Sequence, residues 1–339
     1  MTDKSLTGRK VRVAVVGAGL FGELHAHTYS TNPLANLIAI VDRDIERARA
    51  VAKKYNANPY RDVEELLAKD EVDAISVATP EQQHKDPSVA AAKAGKHVLV
   101  EKPIAHTLDD AKAMVDTARK SGTKLMVGFI LRFDPRYVQA KEQLDEGKIG
   151  EVISMWARRM GQLTVPQRVA TWSHPLFYMA IHDIDMLLWF AKSPVTTVYS
   201  CSASKLFSET GRPDVIQALL KFQSGATAAL EVNWCQPLSW PYYLDARFHV
   251  TGTKGSIFVD IADMGLRIYH ASGTAYPDTY HWPEIRTRIG GDLRDEITHF
   301  LECILSNREP LVTGEDGIKS LKVALAIMES YQTGKAITP

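Results

Sequence analysis

The sequence has little cysteine, no excess of charge of either sign and no long apolar run, and each deficit removes a class of protein. Its three cysteines, Cys201, Cys235 and Cys303, are odd in number and far apart. They exclude a disulfide framework and any C-x-x-C redox or zinc pair, and they suit a reducing cytoplasm. Forty Lys+Arg are matched by forty Asp+Glu, so there is no basic field to hold a polyphosphate chain, and nucleic acid is not an expected partner. No run approaches the roughly 18 apolar residues of a membrane span. The basic start MTDKSLTGRK is followed only by VRVAVV before glycines intervene, too short a stretch for the apolar core of a secretory leader. What remains, at 45% hydrophobic and 24% charged over 339 residues, is an ordinary globular chain of about two domains.

Up to about residue 130, short apolar runs (VRVAVVG, LIAIVD, DAISVAT, KHVLVE, KLMVGF) alternate with segments rich in Ala, Lys and Glu. Runs of that kind read as strands buried on both faces, separated by helices: the β-α-β alternation of a doubly wound parallel sheet. Beyond residue 150 the texture changes to β-branched and aromatic runs such as EVISMWARRM, ATAALEVNWCQ and YLDARFHVTG joined by turn signals. These predict a large, mainly antiparallel open sheet. One strong helix interrupts it from about His174 to Ala191, and two more close the chain. The expected architecture is α/β: a Rossmann domain over residues 1–130 and an α+β substrate-binding and oligomerisation domain over 131–339.

The first strand runs into Gly17-Ala18-Gly19-Leu20-Phe21-Gly22, and the second ends in Asp42, twenty residues after the last glycine. With strand before and helix after, this is the full dinucleotide fingerprint. Gly17 allows the tight turn, Gly19 lets a pyrophosphate approach the helix N-terminus, and Gly22 permits close helix packing. Asp42 is placed to accept hydrogen bonds from an adenosine ribose and to repel a 2′-phosphate, which favours NAD; Arg43 beside it leaves NADP open. Ala78-Thr79-Pro80 follows the fourth strand, and Glu101-Lys102-Pro103 ends the fifth, both at the carboxyl edge where such sheets bind ligands. In the helix HPLFYMAIHDIDMLLWF, Phe177, Ile181, Ile184 and Leu188 share one apolar face. Tyr178, His182 and Asp185 fall on the neighbouring stripe at i, i+4 and i+7. His25 and His27 point to different helix faces, and His182 with Asp185 lacks further ligands at a metal spacing, so no metal is expected.

These residues resemble the Gfo/Idh/MocA oxidoreductases over nearly the whole chain. The likeness rests on the glycine fingerprint, on Thr79-Pro80 with His84, and on Glu101-Lys102-Pro103. It continues in the stretch from Gly128 to Pro135 and in His182-Asp183-Ile184-Asp185. It implies that Lys102 is catalytic and contacts the nicotinamide ribose, and that His182 is the catalytic histidine. In many sugar and inositol dehydrogenases of the family the residue four before this histidine is an aspartate, and here it is Tyr178. A phenol with an ordinary pKa of about 10 is a poor base at neutral pH, so Tyr178 takes an orienting role and Asp185 orients the His182 ring. Arg132 and Phe133 are expected to flank the cofactor, Arg158, Arg168 and Trp172 to lie where the second domain faces it, and Arg158 to bind substrate as well. The resemblance implies NAD(P)-dependent hydride transfer to or from a secondary alcohol of a cyclic polyol, sugar or sugar derivative. Two other readings are a redox-assisted glycosidase or eliminase with tightly held NAD, and a non-catalytic NAD-binding sensor. It also implies a homodimer or homotetramer built on the second sheet.

Overall fold

The computed structural model describes residues 8–69, 71–242, 244–262, 264–271 and 273–339; most of the N-terminal stretch read above for a leader lies outside them. The chain divides into two compact units, Met1–Ile130 with His281–Ile318, and Leu131–Tyr280 with Lys319–Pro339. A single cut near residue 130 therefore does not describe the division, because residues 281–318 return to the first unit after the second sheet is complete.

In the first unit, strands and helices alternate as β1 (Val11–Val16), α1 (Leu20–Thr31), β2 (Ala35–Val41), α2 (Ile45–Tyr55), β3 (Asn58–Tyr60), α3 (Val63–Lys69), β4 (Ala74–Val77), α4 (Lys85–Lys93), β5 (His97–Glu101), α5 (Leu108–Ser121) and β6 (Leu125–Gly128). The strands pair in the order β3-β2-β1-β4-β5-β6, every pair parallel. The order reverses between β1 and β4, which makes the carboxyl ends of those strands the switch point where doubly wound sheets bind ligands. The apolar runs become strands because helices cover both faces: Val13, Val15, Ile75, Leu99 and Val127 have no exposed surface. Local signals set the helix ends. Asp44 accepts the Glu46 and Arg47 N–H groups at the start of α2, Thr107 accepts Asp110 N–H at the start of α5, and α5 stops at Gly122 with φ of 65°.

The second unit opens with α6 (Pro135–Asp145), β7 (Val152–Gln162), α7 (Thr164–Val169) and α8 (Ile181–Ala191), followed by β8 (Val195–Ala203), β9 (Val215–Phe222), β10 (Thr227–Gln236), β11 (Leu244–Gly252) and β12 (Ser256–Asp260). The sheet order is β12-β11-β7-β10-β9-β8, antiparallel except for the central β7–β10 pair. Residues Leu176–Ala180 form a π-helical turn ahead of α8, so the single helix expected from His174 changes winding where Tyr178 lies. One face of this sheet is open. Across it the register sets Phe258, His249, Trp156, Ala229, Leu219 and Tyr199 in a continuous row, with Phe258 67%, Leu219 62% and Tyr199 51% exposed. Late in the chain come α9 (Gly291–Leu305) and α10 (Gly314–Thr333). Helix α9 returns to α1 and β1 of the first unit, where Asn32 donates to Thr298 Oγ1 at 2.9 Å. No helix among the described residues is long and apolar enough to cross a membrane.

Candidate active site

The glycine turn has the geometry its sequence demands. Gly17 has φ of 100°, and a Cβ there would sit 2.6 Å from the Ala78 carbonyl oxygen, so β4 closes against the turn only because the side chain is absent. A Cβ at Gly22 would lie 1.7 Å from the Gly17 carbonyl oxygen. Gly19 differs, since a Cβ there would meet no protein atom within 4 Å. The fold does not require that glycine, whereas a phosphate approaching the backbone does. The amino end of α1 has no side-chain cap and so presents its first N–H groups. Asp42 is tied to the turn: one carboxylate oxygen accepts Ala18 N–H at 2.8 Å and the other Asp44 N–H at 2.9 Å. That fixes the carboxylate beside the turn, where a ribose diol would meet it. Arg43 is exposed, and Arg47 approaches Asp42 at 3.8 Å. Leu20 is 61% exposed, while Phe21 packs edge-on against Trp282 with centroids 5.2 Å apart. These residues fit a dinucleotide.

Lys102, half-buried, follows the last residue of β5. Glu101 is buried, and one of its oxygens receives His25 Nε2 at 3.1 Å while the other accepts the Lys102 backbone N–H at 3.2 Å. Burial pushes the Glu101 carboxyl up, but the His25 hydrogen bond and the charges of His25, Lys102 and His84 outweigh it, so its pKa falls below the ordinary value. Nearby Glu296 on α9 goes the other way: burial, then Glu101 and Asp292, raise it well above the usual range. His84 is buried, with Nδ1 2.9 Å from the Pro103 carbonyl and Nε2 2.8 Å from the Thr79 carbonyl. Its ring sits between the Ala78-Thr79-Pro80 turn and Lys102-Pro103, and burial lowers its pKa against the two carbonyls, which favour the charged ring.

In the second unit, Arg132 and Asp185 form a buried bidentate pair, Nε–Oδ2 2.8 Å and Nη2–Oδ1 2.7 Å, with the guanidinium 5.4 Å from the Trp189 ring centre. The residues expected beside the cofactor and beside His182 are thus joined to each other. Tyr178 is half-buried; its hydroxyl accepts from Arg168 Nη2 at 2.7 Å, and Trp172 packs edge-on against its ring at 6.1 Å. Tyr178, Arg168 and Trp172 therefore form one cluster, while half-buried His182 lies at the start of α8. Arg158 is elsewhere: it lies on the open face of the sheet, paired with Asp245 at 2.7 Å. Its neighbour Arg159 faces α8 and pairs with Asp183, Nε–Oδ2 2.6 Å and Nη2–Oδ1 3.1 Å. Sequence reasoning passed over Arg159 and assigned no role to His25. The strand alternation through Arg158-Arg159 was the available signal for the first; nothing local marks the second.

A parallel sheet in this strand order, a glycine turn that excludes side chains and an acid fixed at the end of β2 define a dinucleotide-binding enzyme fold with an appended α+β unit. The chain belongs to the Gfo/Idh/MocA oxidoreductase family. The model of its NAD-binding Rossmann fold matches residues 11–129, and that of its C-terminal alpha/beta domain matches residues 141–338. The chain is 31% identical to the scyllo-inositol 2-dehydrogenase (NAD(+)) of Bacillus subtilis, covering 97% of this chain and 96% of that one. It is 29% identical to the inositol 2-dehydrogenase of Rhizobium meliloti, covering 97% and 99%. The crystal structure of a myo-inositol dehydrogenase from Corynebacterium glutamicum superposes with a TM-score of 0.83 at 26% identity, covering 97% and 98%.

Proposed function

We propose that this oxidoreductase is an NAD-dependent dehydrogenase that oxidises a secondary alcohol of a cyclic polyol or sugar, with an inositol as the leading substrate class. The observation that carries the reading is the Glu101-Lys102-Pro103 turn, at the carboxyl edge of the same sheet that bears the glycine turn and Asp42. The names of the inositol dehydrogenase relatives support the substrate class. NAD supplies the hydride acceptor. His182 takes the hydroxyl proton, and the Lys102 ammonium stabilises the charge that develops on the substrate oxygen. Tyr178, hydrogen-bonded to Arg168, orients a substrate hydroxyl.

The test is a screen of purified protein with NAD against inositols, other cyclic polyols and sugars, following NADH. Formation of NADH with one of these classes supports the reading. Substrate turnover without NADH would favour transient oxidation by retained NAD, and NAD binding with no turnover a sensor; either result overturns it. The open row of Phe258, Leu219 and Tyr199 supports a homodimer or homotetramer joined through this sheet, because an apolar face of that kind is unfavourable in water. Three free thiols support a cytoplasmic setting.

A further inference from the structure

Helix α1 carries His25 three residues beyond the last glycine of the dinucleotide turn, and its side chain is completely buried. Its Nδ1 lies 2.7 Å from the hydroxyl of Ser76 on β4, and its Nε2 lies 3.1 Å from Glu101 at the end of β5. The second Glu101 oxygen accepts the main-chain N–H of Lys102 at 3.2 Å. A line of hydrogen bonds thus runs from β4 through α1 to the backbone from which the lysine springs. On β6, Gly128 makes room for it, since a Cβ there would come within 3.1 Å of the Glu101 carboxylate. Behind the Pro103 carbonyl, His84 holds the other side of the turn. Fold stability alone does not call for such a group, because an apolar trio of similar volume would avoid the desolvation of a buried charge.

We propose that His25 and Glu101 are positioning residues that act through Lys102, with His25 holding the Glu101 carboxylate where it fixes the lysine's main chain. This rests on the reading of Lys102 as a catalytic residue. The same helix presents its amino end at the glycine turn, so the segment that receives the cofactor also sets the lysine.

The experiment compares His25→Leu, His25→Gln and Ser76→Ala in the parent and in a Lys102→Ala background, measuring kcat, substrate KM and NAD affinity. In the parent, His25→Leu lowers kcat about 10- to 100-fold, the cost of displacing a reacting group by an ångström or so. KM and NAD affinity stay within about threefold. His25→Gln, which keeps a donor toward Glu101, recovers part of the loss. Ser76→Ala, nearly isosteric, follows with a smaller drop and serves where His25→Leu does not fold. In the Lys102→Ala background the same changes lower kcat by less than about twofold, because a group that acts only through the lysine has nothing left to act on. Equal losses in both backgrounds, or a parental kcat in folded His25→Leu, overturn the proposal. A parental kcat in Lys102→Ala alone would instead remove the catalytic reading on which it stands.

Discussion

The pair between Arg159 of β7 and Asp183 of α8 anchors the helix that bears His182, and its worth can be measured. Both groups are almost fully enclosed, at 4% and 0% side-chain exposure, and two hydrogen bonds join them. Burial pushes the Asp183 carboxyl up, with the Arg159 charge opposing it, so the carboxylate depends on its partner. Removing either member leaves a buried charge uncompensated, which costs about 3–5 kcal/mol. Replacing both with apolar side chains removes the desolvation penalty together with the attraction, and such replacements are often neutral or stabilising. Arg159→Met and Asp183→Leu should therefore each destabilise by about 3–5 kcal/mol, while the double variant returns most of the way to the parent. Guanidinium unfolding followed by circular dichroism supplies the four stabilities. Single losses under about 1 kcal/mol, or a double variant equal to the sum of the singles, would refute the assignment of this pair as the anchor of α8.

The cofactor, the catalytic groups and the assembly each carry their own expectation. Asp42→Ala should lower kcat/KM with NAD at least tenfold, about 1.4 kcal/mol, and narrow the preference over NADP; a parent enzyme that prefers NADP tenfold refutes the role of Asp42. Lys102→Ala and His182→Ala should each lose roughly 100-fold in kcat with NAD binding retained, and near-parental turnover in both would discard the proton-transfer scheme. Phe258→Glu places a charge in the open apolar row and should reduce the mass measured by light scattering to that of one chain, 37.6 kDa. A parent already at that mass would exclude the assembly.

The strands of the first sheet were legible because burial on both faces leaves uninterrupted apolar runs, and the fingerprint because its glycines answer to backbone geometry that few residues satisfy. Residues 281–318 were not legible as part of the first unit. An amphipathic helix such as α9 announces that it will be covered, but not that α1 and β1 will cover it. His25 shows the same limit at the level of a single side chain: its partners Ser76 and Glu101 lie 51 and 76 residues away. In β7 the alternation of the strand puts Arg158 and Arg159 on opposite faces, yet only the fold shows which of them meets α8. The π-helical turn at Tyr178 also lay beyond a reading that assumed uniform 3.6-residue winding through the helix.

That adjacency on β7 bears on how the chain can vary in length. Arg158 reaches Asp245 on the open face and Arg159 reaches Asp183 beneath it, so inserting or deleting one residue upstream within the strand would exchange the two sides at once. Apolar Ala157 and Met155, which alternate with Trp156, would be transposed with them. Lineages of this protein should therefore accumulate insertions and deletions in the β9–β10 turn around Ser224-Gly225, where the exposed backbone tolerates a change of length, and keep β7 at constant length even where its individual residues diverge.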